Sequence, residues 1–288
     1  MVAAATARPD VAALVEIARL MRRDIVRMIY HAGSGHPGGS LSAAEIVACL
    51  YFHEMRCDPK RPDLPDRDRF IMSKGHGCPA QYAAMARAGY FPREMLWTLR
   101  KLGSPLQGHP DRKRLPGLEA STGSLGQGLS IGIGMGLAAR LDGAPSTERR
   151  TYVMLGDGEI QEGQVWQDAL FAASHRIENV VAIIDANRQQ LDDYVAKICP
   201  ALEPIAPKFE AFGWAVREID GHSVPEILDA FAWARTVKGR PVCLVAHTDK
   251  GEGVSFMEME IKFHGVAPTK DECERALAEL GPPAPGED

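Results

Sequence analysis

Residues 151–187 read TYVMLGDGEIQEGQVWQDALFAASHRIENVVAIIDAN. The first five are rich in β-formers and stop at Gly156-Asp157-Gly158, which reads as a strand ending in a tight turn. Apolar residues recur at helical spacing from Val165 to His175, and Val180 to Ile184 is a second unbroken apolar run of strand length. Strand, helix and strand in so short a span make a βαβ unit. Continuous apolar strands alternating with helices predict an α/β fold, an open and mostly parallel sheet with helices on both faces.

In such a unit both strands point the same way, so Asp157 and Asn187 share one sheet edge. If the strands are neighbours, their backbones run ~5 Å apart, close enough for both side chains to reach one cation. Carboxylate and amide oxygens are hard ligands, which suit Mg²⁺ or Ca²⁺ better than zinc. Mg²⁺ held by few protein groups completes its octahedron with water and phosphate oxygens, so a phosphorylated ligand over this edge is expected. An Asp and an Asn in βα turns also commonly cap helices or form turns, and these two residues alone leave both readings open.

The rest of the chain narrows the class. Its 288 residues, 45% hydrophobic with a net charge of −5, suffice for one large α/β domain with a full core. No basic cluster interleaves with aromatics, so nucleic acid is not an expected partner. No apolar stretch is long enough for a membrane span, and MVAAATARPD lacks a signal-peptide core, so a cytoplasmic protein is expected. The six cysteines form no Cys-x-x-Cys pair and read as buried or incidental thiols of a reducing compartment.

Helices are expected from about Val11 to Tyr30, Ser42 to Glu54, Pro79 to Arg87, Arg93 to Leu102, and up to Arg140, with loops to Gly39 and to Thr122. A short strand is expected at Phe70 to Met72, and strand, helix, strand at Phe209 to Ile219, Pro225 to Lys238 and Pro241 to Ala246. No linker divides the chain, so residues 1–275 read as one domain, with a disordered tail over 276–288 that ends in GPPAPGED.

Five of the nine histidines touch a glycine: His36, His76, His109, His222 and His264. Five such loops are hard to dismiss as surface, because imidazoles beside exposed backbone can move protons and bind sugar hydroxyls or phosphate. No His-Glu-x-x-His or Cys/His set points to zinc. In STGSLGQGLSIGIGMGLAARL, Gly128, Gly132 and Gly136 fall on one helix face and read as close packing. Gly123 to Gly126 precede that helix, where exposed amides can meet a ligand. Neither Gly-x-Gly-x-x-Gly after a strand nor Gly-Lys-Ser/Thr occurs, so the common nucleotide folds are not expected.

Gly156-Asp157-Gly158 with Asn187 resembles the thiamine diphosphate signature. SGHPGGSLS, DRDRFIMSKGHG, LQGHPD, STGSLGQGLS, GDGEIQEGQVWQDAL and KGEGVSFME resemble transketolase motifs in the family's order, from about residue 20 to 265. The likeness is to the amino-terminal subunit of split transketolases.

The resemblance implies thiamine diphosphate with Mg²⁺ or Ca²⁺ held by Asp157, Asn187 and the main-chain oxygen of Gln189. Gly156 and Gly158 would border the diphosphate, and Gly123, Ser124 and Leu125 would meet the aminopyrimidine through main-chain atoms. His76 and His264 would lie by the diphosphate and the reacting carbons, and His36 and His109 would hold donor hydroxyls. Glu162 would support the activating glutamate across an interface. That glutamate would come from a partner subunit carrying the pyrimidine-binding and C-terminal domains, in an α₂β₂ heterotetramer.

The implied reaction moves a two-carbon ketol unit from a ketose, as a sugar phosphate, to an aldose. A synthase of the 1-deoxyxylulose 5-phosphate type using pyruvate, and a cofactor-binding module without catalysis, are the alternatives. Two positions depart from the family's pattern: Arg188 stands where relatives usually carry glycine, and Ala186 where they carry a polar or aromatic residue. Arg188 is expected to reach outward to solvent.

Overall fold

Five parallel strands form one sheet, in the order β1-β2-β3-β5-β4, in a computed structural model that describes residues 8–145 and 148–287. They are β1 (Arg69–Met72), β2 (Thr151–Gly156), β3 (Val180–Ala186), β4 (Ala215–Asp220) and β5 (Val242–His247). Every residue of β2 and β3 is buried, as expected of inner strands covered on both faces. Their register pairs Gly156 with Asp185, so Asp157 and Asn187 do leave the sheet from neighbouring strands.

Side chains alternate between two cores. Met72, Tyr152, Met154, Ile183 and Leu244 face one, with α1 (Val11–Ala32), α2 (Pro37–Leu41), α3 (Ala44–Cys49) and α4 (Cys78–Ala88) on that side. Ile71, Val153, Leu155, Ile184 and Val245 face the other, under α5 (Gln127–Leu141), α6 (Gly163–Ser174), α7 (Val195–Ile198) and α8 (Ala206–Ala211). Helices α9 (Val224–Thr236) and α10 (Lys270–Glu279) complete the first side. Asp10 caps α1 by accepting from the Ala13 amide, and Gly33 ends it at φ 66. Among the described residues no helix is long and apolar enough to cross a membrane.

Four local expectations are corrected. Pro37 starts a short helix where a loop to Gly39 was expected, proline being favoured in a first helical turn. The span 209–219 is not one strand: Phe209 lies in α8, started by Pro207, and Gly213 at φ 92 turns the chain into β4. The Phe209 ring packs against Trp166 and Trp214, and that burial outweighs its strand preference. Arg93–Thr98 is a 3₁₀ turn rather than a helix to Leu102.

The fourth concerns the chain end. Residues 276–279 complete α10, which opens with a capping box of Thr269 and Glu272. Leu280 is buried, and the Glu287 carboxylate pairs with Arg87 and Arg93, so the expected disorder does not describe 276–287. Residues 1–7 and Asp288 lie outside the described residues.

Gly128, Gly132 and Gly136 bring α5 down onto the sheet rather than onto another helix. A Cβ on Gly132 would sit 2.4 Å from Val153 Cγ2, and one on Gly128 2.2 Å from Ser73 Oγ, whereas Gly134 faces open space. Gly132→Ala is therefore expected to lower stability by about 1–2 kcal/mol through overpacking, beyond what alanine returns in helix propensity. Gly134→Ala should instead raise it by up to about 1 kcal/mol. Urea unfolding of both variants checks the pair, and equal midpoints would show that α5 can lift from the sheet.

Candidate active site

Four strands deliver loops to one carboxyl edge, the rim where parallel sheets bind ligands. The turn after β1 carries Lys74 and His76, that after β2 Asp157 and Glu159, that after β3 Asn187 to Gln189, and that after β5 Thr248 and Lys250. The rim is then walled by His36 at the start of α2, by His109 and by His264.

Asp157 is 2% exposed; its Oδ1 accepts from the Gly158 amide at 2.8 Å and its Oδ2 from the Arg188 amide at 2.5 Å. Burial, then the charge of Asp185, pushes the Asp157 carboxyl up to about 7. The Asn187 amide nitrogen donates to Asp185 Oδ2 at 2.7 Å, and its Oδ1 accepts from the Gln189 amide at 3.2 Å. The main-chain oxygen of Gln189 accepts from Lys250 Nζ at 3.0 Å, and its buried side-chain Oε1 has no partner.

Among the described residues no three His, Cys, Asp or Glu side chains gather as a metal-binding set. A cation here would rest on one carboxylate and neutral oxygens, the donors of a hard ion. The residues fit such an ion, because a carboxyl driven towards protonation regains its charge beside a cation.

The histidines expected from their loops do gather. The His36 ring centroid lies 5.2 Å from that of His76, 6.4 Å from His109 and 5.7 Å from His264, and His76 stacks on His264 at 5.4 Å. Burial lowers all four: His36 to about 4, His264 to about 3, His76 well below its usual value, and His109 by burial and then Arg100. They are neutral near pH 7, each with one N–H and one lone pair. His264 Nδ1 lies 2.7 Å from Lys250 Nζ, which places the ring proton on Nε2, and the buried His36 Nδ1 has no partner. His222, the fifth histidine beside a glycine, stands elsewhere, bonded to Glu45 at 3.2 Å.

Gly123, at φ 132, sits flush against His109: a Cβ there would be 2.9 Å from the ring. Ser124 and Leu125 beside it are exposed. Glu162 is also exposed, at the start of α6 with its Cβ against Gly126, apart from the histidines' ring contacts. Gly158 spends its amide on Asp157 and Gly156 its own on Glu159.

Sequence reasoning missed four buried polar groups. Glu159 accepts from the amides of Gly126 at 3.0 Å and Gly156 at 3.1 Å and from Ser73 Oγ, joining the glycine loop to the end of β2. Lys74 and Asp185 form a buried ion pair, and Lys250 reaches Gln189 and His264. The signal for Asp185 was a lone acid closing an apolar run; the lysines sat inside motifs already singled out for their histidines and glycines.

Arg188 turns outward as expected. Its side chain is 56% exposed and pairs with Asp249, while its backbone adopts φ 67, the left-handed region where glycine is at ease. Arg188→Gly should relieve about 1 kcal/mol of backbone strain and forfeit an exposed pair worth roughly 0–1 kcal/mol. The expected result is a urea midpoint equal to or above the parent's, with the hydrogen bond from the backbone N–H at position 188 to Asp157 Oδ2 retained. A loss beyond about 1 kcal/mol would show that the Asp249 pair holds the loop.

Comparison with known proteins gives this geometry its context. Residues 11–285 match the family model described as transketolase, thiamine diphosphate binding domain. The chain is 44% identical to the 6-deoxy-6-sulfo-D-fructose transketolase subunit SqwG of Clostridium sp. strain MSTE9, covering 91% of this chain and 94% of that one. It is 40% identical to one of the subunits of the apulose-4-phosphate transketolase of Phocaeicola vulgatus, covering 90% of both. Transketolase of Campylobacter jejuni superposes with a TM-score of 0.88 at 29% identity, covering 94% of this chain but 43% of that structure. The chain thus spans about two fifths of that larger enzyme and nearly the whole of the two subunits. It belongs to the transketolase family and corresponds to that family's thiamine diphosphate-binding part.

Proposed function

We propose that the chain is the cofactor-binding half of a two-component transketolase in the cytoplasm, completed by a subunit with the pyrimidine-binding and C-terminal domains in an α₂β₂ assembly. The observation that carries this reading is the gathering of four neutral histidines beside Asp157 and Asn187 on one rim. A module that bound cofactor without catalysis would have no chemical use for that set.

Mg²⁺, or Ca²⁺, is assigned to Asp157, Asn187 Oδ1 and the main-chain oxygen of Gln189. Lys74 and Lys250 would supply positive charge for a diphosphate, and the main-chain atoms of Gly123 to Leu125 would meet the aminopyrimidine. Bound thiamine diphosphate supplies the carbanion chemistry that breaks and makes a carbon–carbon bond. His36 and His109 hold the donor's hydroxyls. His76 and His264, uncharged, donate N–H groups to oxygens that gain charge, and the Lys250 ammonium on Nδ1 of His264 strengthens its Nε2–H as a donor. Glu162, exposed at the start of α6, would meet the activating glutamate of the partner subunit.

The subunit relatives are named for a sulfonated and a phosphorylated ketose, which supports a ketose with an anionic group as donor and an aldose as acceptor. The scattered, unpaired thiols, four of them buried, support a reducing compartment. A tagged pull-down followed by native mass spectrometry tests the assembly. Two copies of this chain with two of a second polypeptide are expected, and a chain recovered alone or only with itself overturns the reading.

A further inference from the structure

Asp185 is fully buried at the end of β3 and shares no hydrogen bond with the four histidines, yet its side chain ties the loops after β1, β3 and β5 to the segment that follows α2. Its Oδ2 accepts from Ser42 Oγ at 2.8 Å, from Asn187 Nδ2 at 2.7 Å and from Lys74 Nζ, and its Oδ1 accepts from Thr248 Oγ1. A carboxylate offers about four lone-pair sites, two on each oxygen, and here four donors converge on the group, three of them on Oδ2. Asp157, by contrast, has one amide on each oxygen and keeps two sites for a cation.

The donors come from four separate segments. Ser42 follows the helix begun by His36, Lys74 precedes His76 and also donates to Gly39 O at 2.7 Å, and Thr248 precedes Lys250. The bond from Asn187 matters most. An amide has an oxygen side and a nitrogen side of nearly equal shape, and only the oxygen can bind a cation. With Nδ2 tied to Asp185, Oδ1 has to face the other way, towards the Gln189 amide.

We propose that Asp185 is a positioning residue for the cation and diphosphate site: it fixes which way round the Asn187 amide stands and sets the spacing of the His36, His76 and Lys250 loops. This rests on the assignment of Asp157, Asn187 and Gln189 to the cation.

The test uses the full chain in complex with its partner and measures thiamine diphosphate binding by calorimetry at fixed Mg²⁺, with Mg²⁺ titrations beside it. Asp185→Asn should weaken metal-dependent binding by about tenfold to a hundredfold, the usual cost of losing a group that orients a ligand. Combining it with Asn187→Asp should restore most of that loss, because a carboxylate presents oxygen either way round and the charge count is unchanged. A residue that served only packing would show no such rescue.

Binding within twofold of the parent in Asp185→Asn overturns the proposal, as does a double variant no better than the single one. If Asp185→Asn does not fold, the double variant decides: folding with restored binding supports the proposal, and failure to fold or to bind overturns it. Asp157→Ala separates the two levels. Normal binding in Asp157→Ala sinks the cation assignment itself; lost binding there with normal binding in Asp185→Asn sinks only the role of Asp185.

Discussion

Asp157→Ala should abolish metal-dependent binding of thiamine diphosphate by the assembled complex. The substitution removes the one negative donor of the proposed cation site and leaves the Asn187 amide and the Gln189 carbonyl, both neutral. Losing a group that merely orients a ligand costs about 10–100-fold, so losing the anionic ligand should cost at least a hundredfold. The far-UV spectrum should be unchanged, because Asp157 lies beyond the end of β2 and its two partners are backbone amides.

Binding in the parent should also depend on pH with a definite sign. The carboxyl must be ionised to hold a cation, and burial with the nearby Asp185 charge raises it to about 7. Apparent affinity should therefore level off above pH 7 and fall about tenfold per unit below it, as protons compete. A raised acid stabilises the unliganded fold at low pH and loses that contribution as pH rises through 7, so added Mg²⁺ should raise the melting temperature more at pH 8 than at pH 6. Calorimetry and melting curves between pH 5.5 and 8.5, set as experimental limits spanning about a unit and a half either side of that carboxyl, would check both. A flat profile, or unchanged binding in Asp157→Ala, would remove the cation from this loop.

The second large effect is on activity. This chain alone, saturated with thiamine diphosphate and Mg²⁺, should give no ketol transfer above background, and addition of the pyrimidine-binding subunit should raise it by several orders of magnitude. The reason is chemical. The histidines on the rim are neutral, and its buried carboxylates are already committed: Asp185 to four donors, Glu159 to two amides and a hydroxyl, Asp157 to two backbone amides and, in the proposed site, to a cation. None is placed as the free acid that activates the cofactor, so that group is assigned to the partner. Turnover by the lone chain, measured by coupled assay on a phosphorylated ketose, would show that the catalytic set lies within these residues.

Much of this could be read before any coordinates. Two apolar runs separated by a helix, each closed by a polar residue, sufficed to put Asp157 and Asn187 at one sheet edge, while the pairing of β2 with β3 came from the structure. Glycine-flanked histidines sufficed to suggest a cluster, although spacing alone could not show that His36, His76, His109 and His264 meet while His222 turns to Glu45. Buried polar groups were the least legible. Asp185 and Glu159 sit in or beside apolar runs, and nothing local announces that their partners arrive from distant segments. The structured end had the same cause: GPPAPGED is polar and proline-rich, and only Arg87 and Arg93, far back in the chain, give Glu287 a place.

The way the rim is assembled also bears on how the protein folds. Its loops follow β1, β2, β3 and β5, and its histidines are spread from α2 to the turn before α10, so every half of the site is non-local in sequence. Contacts of that kind form late, after the entropy of closing large loops has been met, and parallel sheets are slow for the same reason. No fragment can own a partial site, and cofactor capture becomes a reporter of the completed sheet. During refolding, the recovery of thiamine diphosphate binding should trail the return of helical signal, and any condition that halts strand pairing should leave a helical chain blind to its cofactor.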